Sequence, residues 1–526
     1  MSTSAAETAK GPLAYPVFRA LWIATIVSNI GTWMNDVGSG WLMTSLSPSP
    51  LMVALVQAAT TLPMFLLSLP AGALADIVDR RRMLLVAQLL AVAVAGTLSV
   101  LTLLDLTTPW VLLIATFGLG VSAALSAPIF QAIVPELIDK QALPDAIALN
   151  SLGINISRAI GPALGGIIVA VAGIPAVFAL NAVSVLAVIF VVWRWDRRPA
   201  ESTLPPEHFW GAMKAGVRYA RHSPAMHVVL IRAAGFFVFG SAMWAMLPLI
   251  ARNTLGLHAA GYGALLGAMG IGAVVGAIVL KRVRAKVSSN LISIVATALF
   301  AGVTLTLALV PNPWVGGAVM FVAGLAWIGM MTSLNVAAQM ASAGWVKARA
   351  LAIYLLVFQG SMALGSMIWG TLAARTSIET ALVTAAIGQL IALGLALVWR
   401  LPKQSADLAP SNHWAEPVVA LPDVDDRGPV LIEIEYRVDP DREAEFVALL
   451  RKFSLTRRRD GALRWDVWED VAEPGRVVEA FIVESWLEHQ RQHQRTTGTD
   501  KLRQAELHEF HLDERPPVVR HLLRPG

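Results

Sequence analysis

Three ionisable side chains, Asp36, Arg158 and Arg232, stand inside long apolar runs. A charge is costly there, so each is a candidate for chemistry before it is anything else. Asp36 lies in Gly31-Thr-Trp33-Met-Asn35-Asp36, a few residues past the middle of its run. A carboxylate in a low-dielectric cavity can take up and release a proton as its surroundings change. The plainer alternative is a carboxylate wetted by a vestibule or held by an arginine. Arg158, with Asn155 about one helical turn before it, suits an anionic ligand group as well as it suits a carboxylate or backbone carbonyls. Arg232 is placed nearer a run end, where a long cationic side chain snorkels to water. Gln57, Gln131, Tyr354 and Gln359 are polar positions in apolar stretches; individually, bonds between helices are the simpler reading. Of Trp22, Trp33, Trp41 and Trp110, only Trp33 falls deep in a run, where it could stack on an amphipathic or aromatic compound. The others suit a membrane interface. The chain has no cysteine, which excludes disulfides, thiolate metal sites and a cysteine nucleophile. No cofactor and no metal site is expected.

The elements that must carry these residues follow from composition. The chain is 56% hydrophobic and 15% charged, against about 25% charged in an ordinary soluble domain. Residues 1–400 hold 23 Lys and Arg against 12 Asp and Glu, whereas residues 401–526 hold 18 against 24. A basic membrane part is therefore joined to an acidic tail, and the basic balance reads as loop charge facing anionic lipid, with no nucleic-acid partner. Runs of about twenty apolar residues, enough to span hydrocarbon as helix, begin near Arg19, Leu51, Met83, Thr108, Ala146 and Pro175. Six more begin near Met226, Ala259, Val287, Pro313, Ala348 and Ile378. The expected organisation is an N-terminal six-helix half (1–195), a central loop (196–225), a second six-helix half (226–400), a linker (401–428) and a soluble domain (429–526). Alternate loops carry Arg80, Arg81, Arg82, Lys140, Arg194, Arg197, Arg198, Lys214, Arg218, Arg221, Lys281, Arg282, Arg284, Lys286, Lys347 and Arg349, while the opposite loops hold little beyond Arg252 and Arg375. By the positive-inside rule both termini are cytoplasmic, in a bacterial inner membrane. Residues 1–15 have no basic start and no cleavage site, so the first run is read as a retained anchor.

Two stretches carry a resemblance. Gly72-Ala-Leu-Ala-Asp76-Ile-Val-Asp79-Arg80-Arg81-Arg82 resembles the loop between helices two and three of the major facilitator superfamily, with Asp79 where glycine is usual. Its counterpart after helix eight, from Gly276, reads GAIVLKRVRAKVSS. In this reading Gly72 allows close helix approach, and Asp76 pairs with Arg80 or Arg81, or faces a helix N-terminus, to form a cytoplasmic gate. The bland reading is anchoring by three arginines. Gly161-Pro162-Ala-Leu-Gly165-Gly166 resembles the helix-five motif of exporters and antiporters; plain helix packing is its alternative. With the Asn155/Arg158 stretch and the tail, it is similar to the subgroup that includes the enterobactin exporter and the transmembrane secretion effectors. Drug–proton antiporters of the superfamily carry an arginine in helix four, and here Thr108 to Gln131 has none, leaving Arg158 to substitute.

In the tail, residues 430–438, 462–470 and 476–485 read as strands, 439–459 and a stretch from Trp486 as helices, and 517–523 as a last strand. This β-α-β-β-α-β order points to a ferredoxin-like domain. With Trp465, Trp468, Trp486 and His489 in that order, it resembles antibiotic-biosynthesis monooxygenase domains, which implies a homodimer through the tail. His489 and His493 have a metal-ligand spacing, but surface histidines of a charged helix are the simpler reading. The fold class is thus an all-α polytopic membrane protein of about twelve helices in two six-helix halves, plus a small C-terminal α+β ferredoxin-like domain. The resemblance implies efflux of a small amphipathic compound (drug, siderophore or secondary metabolite) by alternating access and proton antiport. A midplane site would draw on helices one, two, four, five, seven, eight, ten and eleven, and the chain as a whole is not an enzyme. The alternative is a transporter–enzyme fusion whose tail is a cofactor-free monooxygenase or a sensor of the transported compound.

Overall fold

The computed structural model describes residues 11–139, 141–195, 209–401, 407–408, 411, 414 and 427–525, with the side chains of residues 73, 75–77 and 209–213 left aside. The charges at Lys140, Arg197 and Arg198, most of the 401–428 linker and the side chain of Asp76 lie outside the described residues.

Twelve helices are long and apolar enough to cross a membrane, and the chain is a multi-pass membrane protein. The first six are α1 (Pro16–Leu46), α2 (Pro50–Ile77), α3 (Arg80–Leu103), α4 (Pro109–Leu137), α5 (Leu143–Ala172) and α6 (Ile174–Arg194). A shorter helix, α7 (Phe209–His222), lies where the sequence reads as polar loop. Then come α8 (Pro224–Leu249), which continues as a wider turn to Thr254, α9 (Ala259–Val283), α10 (Ser289–Leu309), α11 (Pro313–Met340), α12 (Lys347–Arg375) and α13 (Ile378–Val398).

The starts have local causes. Proline opens α1, α2, α4, α8 and α11 and stands second in α5 and α6, where its missing N–H is one the helix leaves unpaired anyway. At α10 and α13 a side-chain cap marks the start: Ser288 accepts from Leu291 N and Ser377 from Thr380 N. Large apolar side chains such as Val171 (83% exposed), Ile114 (70%) and Ile391 (70%) face outward. Such a rim fits only a lipid surround.

By its internal contacts the chain divides into two units. The first comprises residues 1–203, 232–334 and 355–400. Within it α1 packs on α5 and α6, α2 on α4, α3 on α4 and α6, and α10 on α13. Arg232 is a structural pin here. It is 3% exposed and donates to Asn290 Oδ1 (3.2 Å), Ser293 Oγ (2.8 Å) and the Trp399 carbonyl (3.4 Å). It thereby ties α8 to α10 and to the end of α13, so the snorkelling expected from its sequence position is not what it does.

The second unit comprises residues 204–231, 335–354 and 401–526. Its α+β part runs β1 (Val430–Arg437), α14 (Glu443–Asp460), β2 (Arg464–Glu469), β3 (Arg476–Val483), α15 (Trp486–Arg495), α16 (Gly498–His508) and β4 (Val518–Leu523). The order is the expected one, with the second helix split in two. Thr497 causes the split: it opens α16 with a capping box to Asp500. The sheet is antiparallel in the order β2-β3-β1-β4. Alternation puts Val430, Ile432, Ile434 and Tyr436 of β1 and Val477, Phe481 and Val483 of β3 in a core with Phe446, Leu450 and Phe453 of α14.

The tail is gripped by α7 and by the loop before α12. Arg218 Nη2 donates to Glu488 Oε1 at 2.8 Å, and Arg495 holds both oxygens of the same carboxylate at 2.6 and 3.1 Å. The Arg495 guanidinium lies 4.6 Å over the Trp345 ring. Tyr219 OH donates to the Ala341 carbonyl (2.7 Å) and accepts from Ala343 N (3.1 Å). Burial pushes the Glu488 carboxyl up, but its bonds to Arg495 and Arg218 outweigh that and hold it below the ordinary value of 4.5. Its contribution is therefore present above the ordinary glutamate range and lost as pH falls through the lowered value.

Glu488→Ala strips a buried guanidinium (Arg495) and a partly buried one (Arg218) of their shared acceptor, at about 2 kcal/mol for each charge-assisted bond lost; Arg218→Ala removes one of the donors. Limited proteolysis of the full chain should release the tail fastest from Glu488→Ala, then Arg218→Ala, then the parent. Equal rates in all three would show that the grip is not what holds the tail.

Candidate functional site

A cavity of about 230 Å³ opens within the first unit, between the two six-helix sets. From α1 come Trp33 and Asp36, from α2 Gln57, Thr60 and Thr61, and from α5 Arg158. The second half supplies Trp244 of α8, Tyr262 of α9, Trp327 of α11, and Phe358 and Gln359 of α12. Polar and charged groups share this lining with aromatic rings, as in sites that bind organic compounds. The Arg158 guanidinium lies 5.6 Å over the Trp33 ring, and its Nε is buried without a partner. Among the described residues Asp36 has no ion-pair or hydrogen-bond partner either, so no arginine neutralises it.

The structure therefore gathers Trp33, Asp36, Arg158 and Gln359 in one place, and leaves Asn35, Asn155 and Arg232 outside the lining. Asn35 is buried and turns to Ser39 Oγ at 3.5 Å; Asn155 donates to the Ser151 carbonyl at 2.9 Å, within its own helix. No described α4 residue is among the lining residues. Sequence reasoning missed the aromatic wall. Trp327 touches Phe236, Phe237, Trp244, Phe300 and Phe358, with ring centroids 5.3 to 6.4 Å apart. These rings come from α8, α10, α11 and α12, and no spacing along the chain announces them. Trp22 is held to α5 through the Leu149 carbonyl (3.0 Å), and Trp41 stacks on Tyr262 at 6.1 Å.

Glycines set how closely α5 packs on its neighbours. Gly161 and Gly165 sit against α1, where added Cβ atoms would lie 2.6 Å from Trp33 Cβ and 2.9 Å from Met34 Cα. Gly166 faces α9 instead. A Cβ there would lie 2.7 Å from the Ala259 carbonyl, and one at Gly263 2.6 Å from the Pro162 carbonyl. One at Gly270 would lie 2.8 Å from the Arg158 carbonyl. The helix-five motif thus meets a matching glycine face, Gly263, Gly267 and Gly270, which the sequence reading did not pick out. Across the bundle Gly370 of α12 sits on α2, a Cβ there falling 3.2 Å from Leu51 Cα.

The sequence profile of the transmembrane secretion effectors, a branch of the major facilitator superfamily, matches residues 7–525. The chain belongs to that family. Its relatives include the staphyloferrin A transporter of Staphylococcus aureus, 34% identical over 155 residues, a match covering 29% of this chain and 39% of that protein. The enterobactin exporter EntS of Salmonella typhi is 27% identical over 323 residues, covering 61% and 76%. The chain thus spans well under half of the first of these and about three quarters of the second. Solved structures agree on the fold. A bacterial homologue of the human lysosomal transporter Spinster, inward-facing and unoccupied, superposes with a TM-score of 0.58 at 14% identity, covering 74% of this chain and 97% of that one. The nucleoside transporter NupG gives 0.56 at 11%, covering 73% and 99%.

In this secretion effector the arginine loop does several jobs at once. Asp79, in the place of the usual glycine, caps α3 by accepting from Arg82 N at 2.9 Å. Arg80 bonds Glu136 Oε1 at 2.8 Å and the Ala132 carbonyl at 3.3 Å, reaching the end of α4. Arg81 donates to the Val192 carbonyl at 3.0 Å and to the Trp193 carbonyl, closing the end of α6. The expected close approach at Gly72 is not present, because a Cβ there would meet no atom within 4 Å.

The tail histidines also differ from expectation. His489 is 2% exposed, not a surface residue. Burial, reinforced by the neighbouring His493 and His521, pushes its pKa down to about 3. No cluster of three or more metal-binding side chains stands together among the described residues.

The absence of native cysteine gives a clean background for testing the α5–α9 seam. A Cβ at Gly267 would lie 3.2 Å from Ala163 Cβ, near the 3.5–4.5 Å a disulfide spans. Ala163→Cys with Gly267→Cys should cross-link readily under mild oxidant. Adding Gly263→Leu should cut the yield at least severalfold by wedging the helices apart; an unchanged yield would show that the glycine face does not set their separation.

Proposed function

We propose that this family member exports a small amphipathic compound of the siderophore class by alternating access, driven by proton entry. The observation that most supports it is the pair Asp36 and Arg158, which line one aromatic cavity between the halves with no hydrogen-bond or ion-pair partner for either among the described residues. Two relatives are named for siderophores, staphyloferrin A and enterobactin.

In this reading the basic loops face the cytoplasm of a bacterial inner membrane, as the positive-inside rule requires. The glycine seam between α5 and α9 then closes the outer end, and the cavity loads from within. An anionic or aromatic part of the substrate meets Arg158 and the Trp33 and Trp327 rings. A hydroxyl or amide N–H of the substrate donates to the Asp36 carboxylate. When the halves rock and the seam parts, a proton from outside reaches Asp36. The carboxyl then no longer accepts as strongly, the substrate loses that bond, and it leaves outward. The protonated carboxyl also costs less in the cavity during the return, so proton and substrate alternate on one group. The Arg80–Glu136 and Arg81–Trp193 contacts would hold the N-terminal half rigid while it swings.

Everted membrane vesicles carrying an outwardly energised proton gradient test this. Adding iron-free enterobactin or staphyloferrin A should release interior protons in the wild type and not in Asp36→Asn. Arg158→Gln should weaken substrate uptake at least tenfold while keeping whatever proton release remains coupled to it. Substrate uptake in Asp36→Asn that still follows the proton gradient would remove Asp36 from the mechanism. Wild-type vesicles that take up neither compound would remove the siderophore class.

A further inference from the structure

We propose that the C-terminal domain holds a second binding site, for a planar aromatic compound bearing a hydrogen-bond donor, and that Trp414 of the linker occupies it in this structure. The proposal stands apart from the export mechanism, since none of its residues lines the membrane cavity.

Trp414 is held on three sides by residues far from it in sequence. The Arg457 guanidinium lies 4.9 Å over the indole ring. The His493 ring meets it edge-on, with centroids 5.0 Å apart. Its Nε1–H donates to Gln504 Oε1 at 2.7 Å. A cationic plane against one face, an imidazole at the edge and a carbonyl oxygen for one donor make a recognition set for an indole or phenol.

The set is built and not incidental. Arg457 is 2% exposed and locked by a bidentate bond to Glu479 (3.0 and 3.1 Å), which also accepts from Trp465 Nε1 at 2.8 Å. The Phe453 and Phe481 rings lie 4.9 Å from the same guanidinium. Since Glu479 already neutralises the arginine, what remains for a ligand is its flat face, which favours an aromatic ring over an anion. Behind His493 runs an imidazole series: His493 Nε2 to His489 Nε2 at 3.3 Å, then His489 to His521 with centroids 4.8 Å apart. The His489 ring is uncharged at neutral pH and suits stacking. Trp486 packs on both His489 and His521 (5.4 and 5.6 Å), and its buried N–H has no partner. An apolar strap would need none of this polar complementarity. A leucine at 414 could cover the same surface, whereas only a flat ring with a donor satisfies Arg457 and Gln504 together.

The test uses the full chain labelled with 5-fluorotryptophan, the 414 resonance being assigned by its loss in Trp414→Phe. The probe is 4-hydroxybenzyl alcohol, a phenol that partitions weakly into lipid. Titration should shift the wild-type 414 resonance as the ring is displaced. By equilibrium dialysis Trp414→Ala should bind the probe at least tenfold tighter than wild type, and Gln504→Leu added to it should remove most of that gain. A 414 resonance that stays fixed at saturating probe would overturn the proposal, leaving Trp414 as fixed packing. That wild-type titration does not depend on any variant folding. Binding confined to the membrane cavity would leave the 414 signal unmoved, so the two sites are told apart.

Discussion

Hydrocarbon offers a peptide group nothing to bond with, and this governs everything else in the membrane part of the chain. Each crossing must be a helix, and each polar side chain inside must find a partner or face a cavity. Arg232 takes the first route, with three bonds across α8, α10 and the end of α13. Asp36 and Arg158 take the second. Because the cost of an unpaired charge is high, their joint exposure to one cavity is the most informative feature of the first unit. Nothing in packing alone asks for both.

The same solvent removes the hydrophobic drive between helices, so close van der Waals contact must supply the association. That explains why glycine, not leucine, makes the junction of the halves at α5 and α9. Gly166 against Gly263, and Gly270 against the backbone at Arg158, bring the helices near enough for backbone to touch backbone. A contact built this way has no side chains to interlock. It suits the parting and re-forming that the proposed alternating access requires, whereas the Arg80 and Arg81 bonds tie the start of α3 to the ends of α4 and α6 within the first half. Arg158 both lines the cavity and sits at the edge of the glycine junction, so in the proposed cycle parting of the seam also alters the cavity.

Twelve spans, their approximate starts and the strand order of the tail were legible because each rests on local pattern: run length, proline at helix starts, alternation in strands. Trp33, Asp36, Arg158 and Gln359 were legible as cavity candidates because a polar residue in an apolar run is conspicuous. The aromatic wall was not, since Trp244, Trp327 and Phe358 look like ordinary apolar residues of three separate spans. The partner face on α9 was hidden for the same reason: Gly263, Gly267 and Gly270 gain meaning only opposite α5. Asn35 and Asn155 fall outside the cavity lining: Asn155 donates within its own helix, and Asn35 turns to Ser39 with its Oδ1 buried and unpartnered. Helix α7 was overlooked because its Lys214, Arg218 and Arg221 read as loop charge.

The buried charges of the tail invert the membrane argument. Arg457 with Glu479, and Arg459 with Asp460 and Asp500, lie inside a small domain where water is the alternative solvent. Burying such groups rarely adds net stability, since desolvation offsets most of the Coulomb attraction. What the pairs do is fix orientation. Glu479 holds Arg457 flat against the Trp414 ring, and Asp460 and Asp500 hold Arg459 beside Tyr219, which in turn bonds the loop at Ala341 and Ala343. A core of leucine and valine would fold as well and leave those surfaces unaimed. The tail's interior therefore reads as a scaffold for presenting guanidinium planes, one toward the linker and others toward α7 and Trp345. A domain that served only as ballast or as a tether would have no use for them.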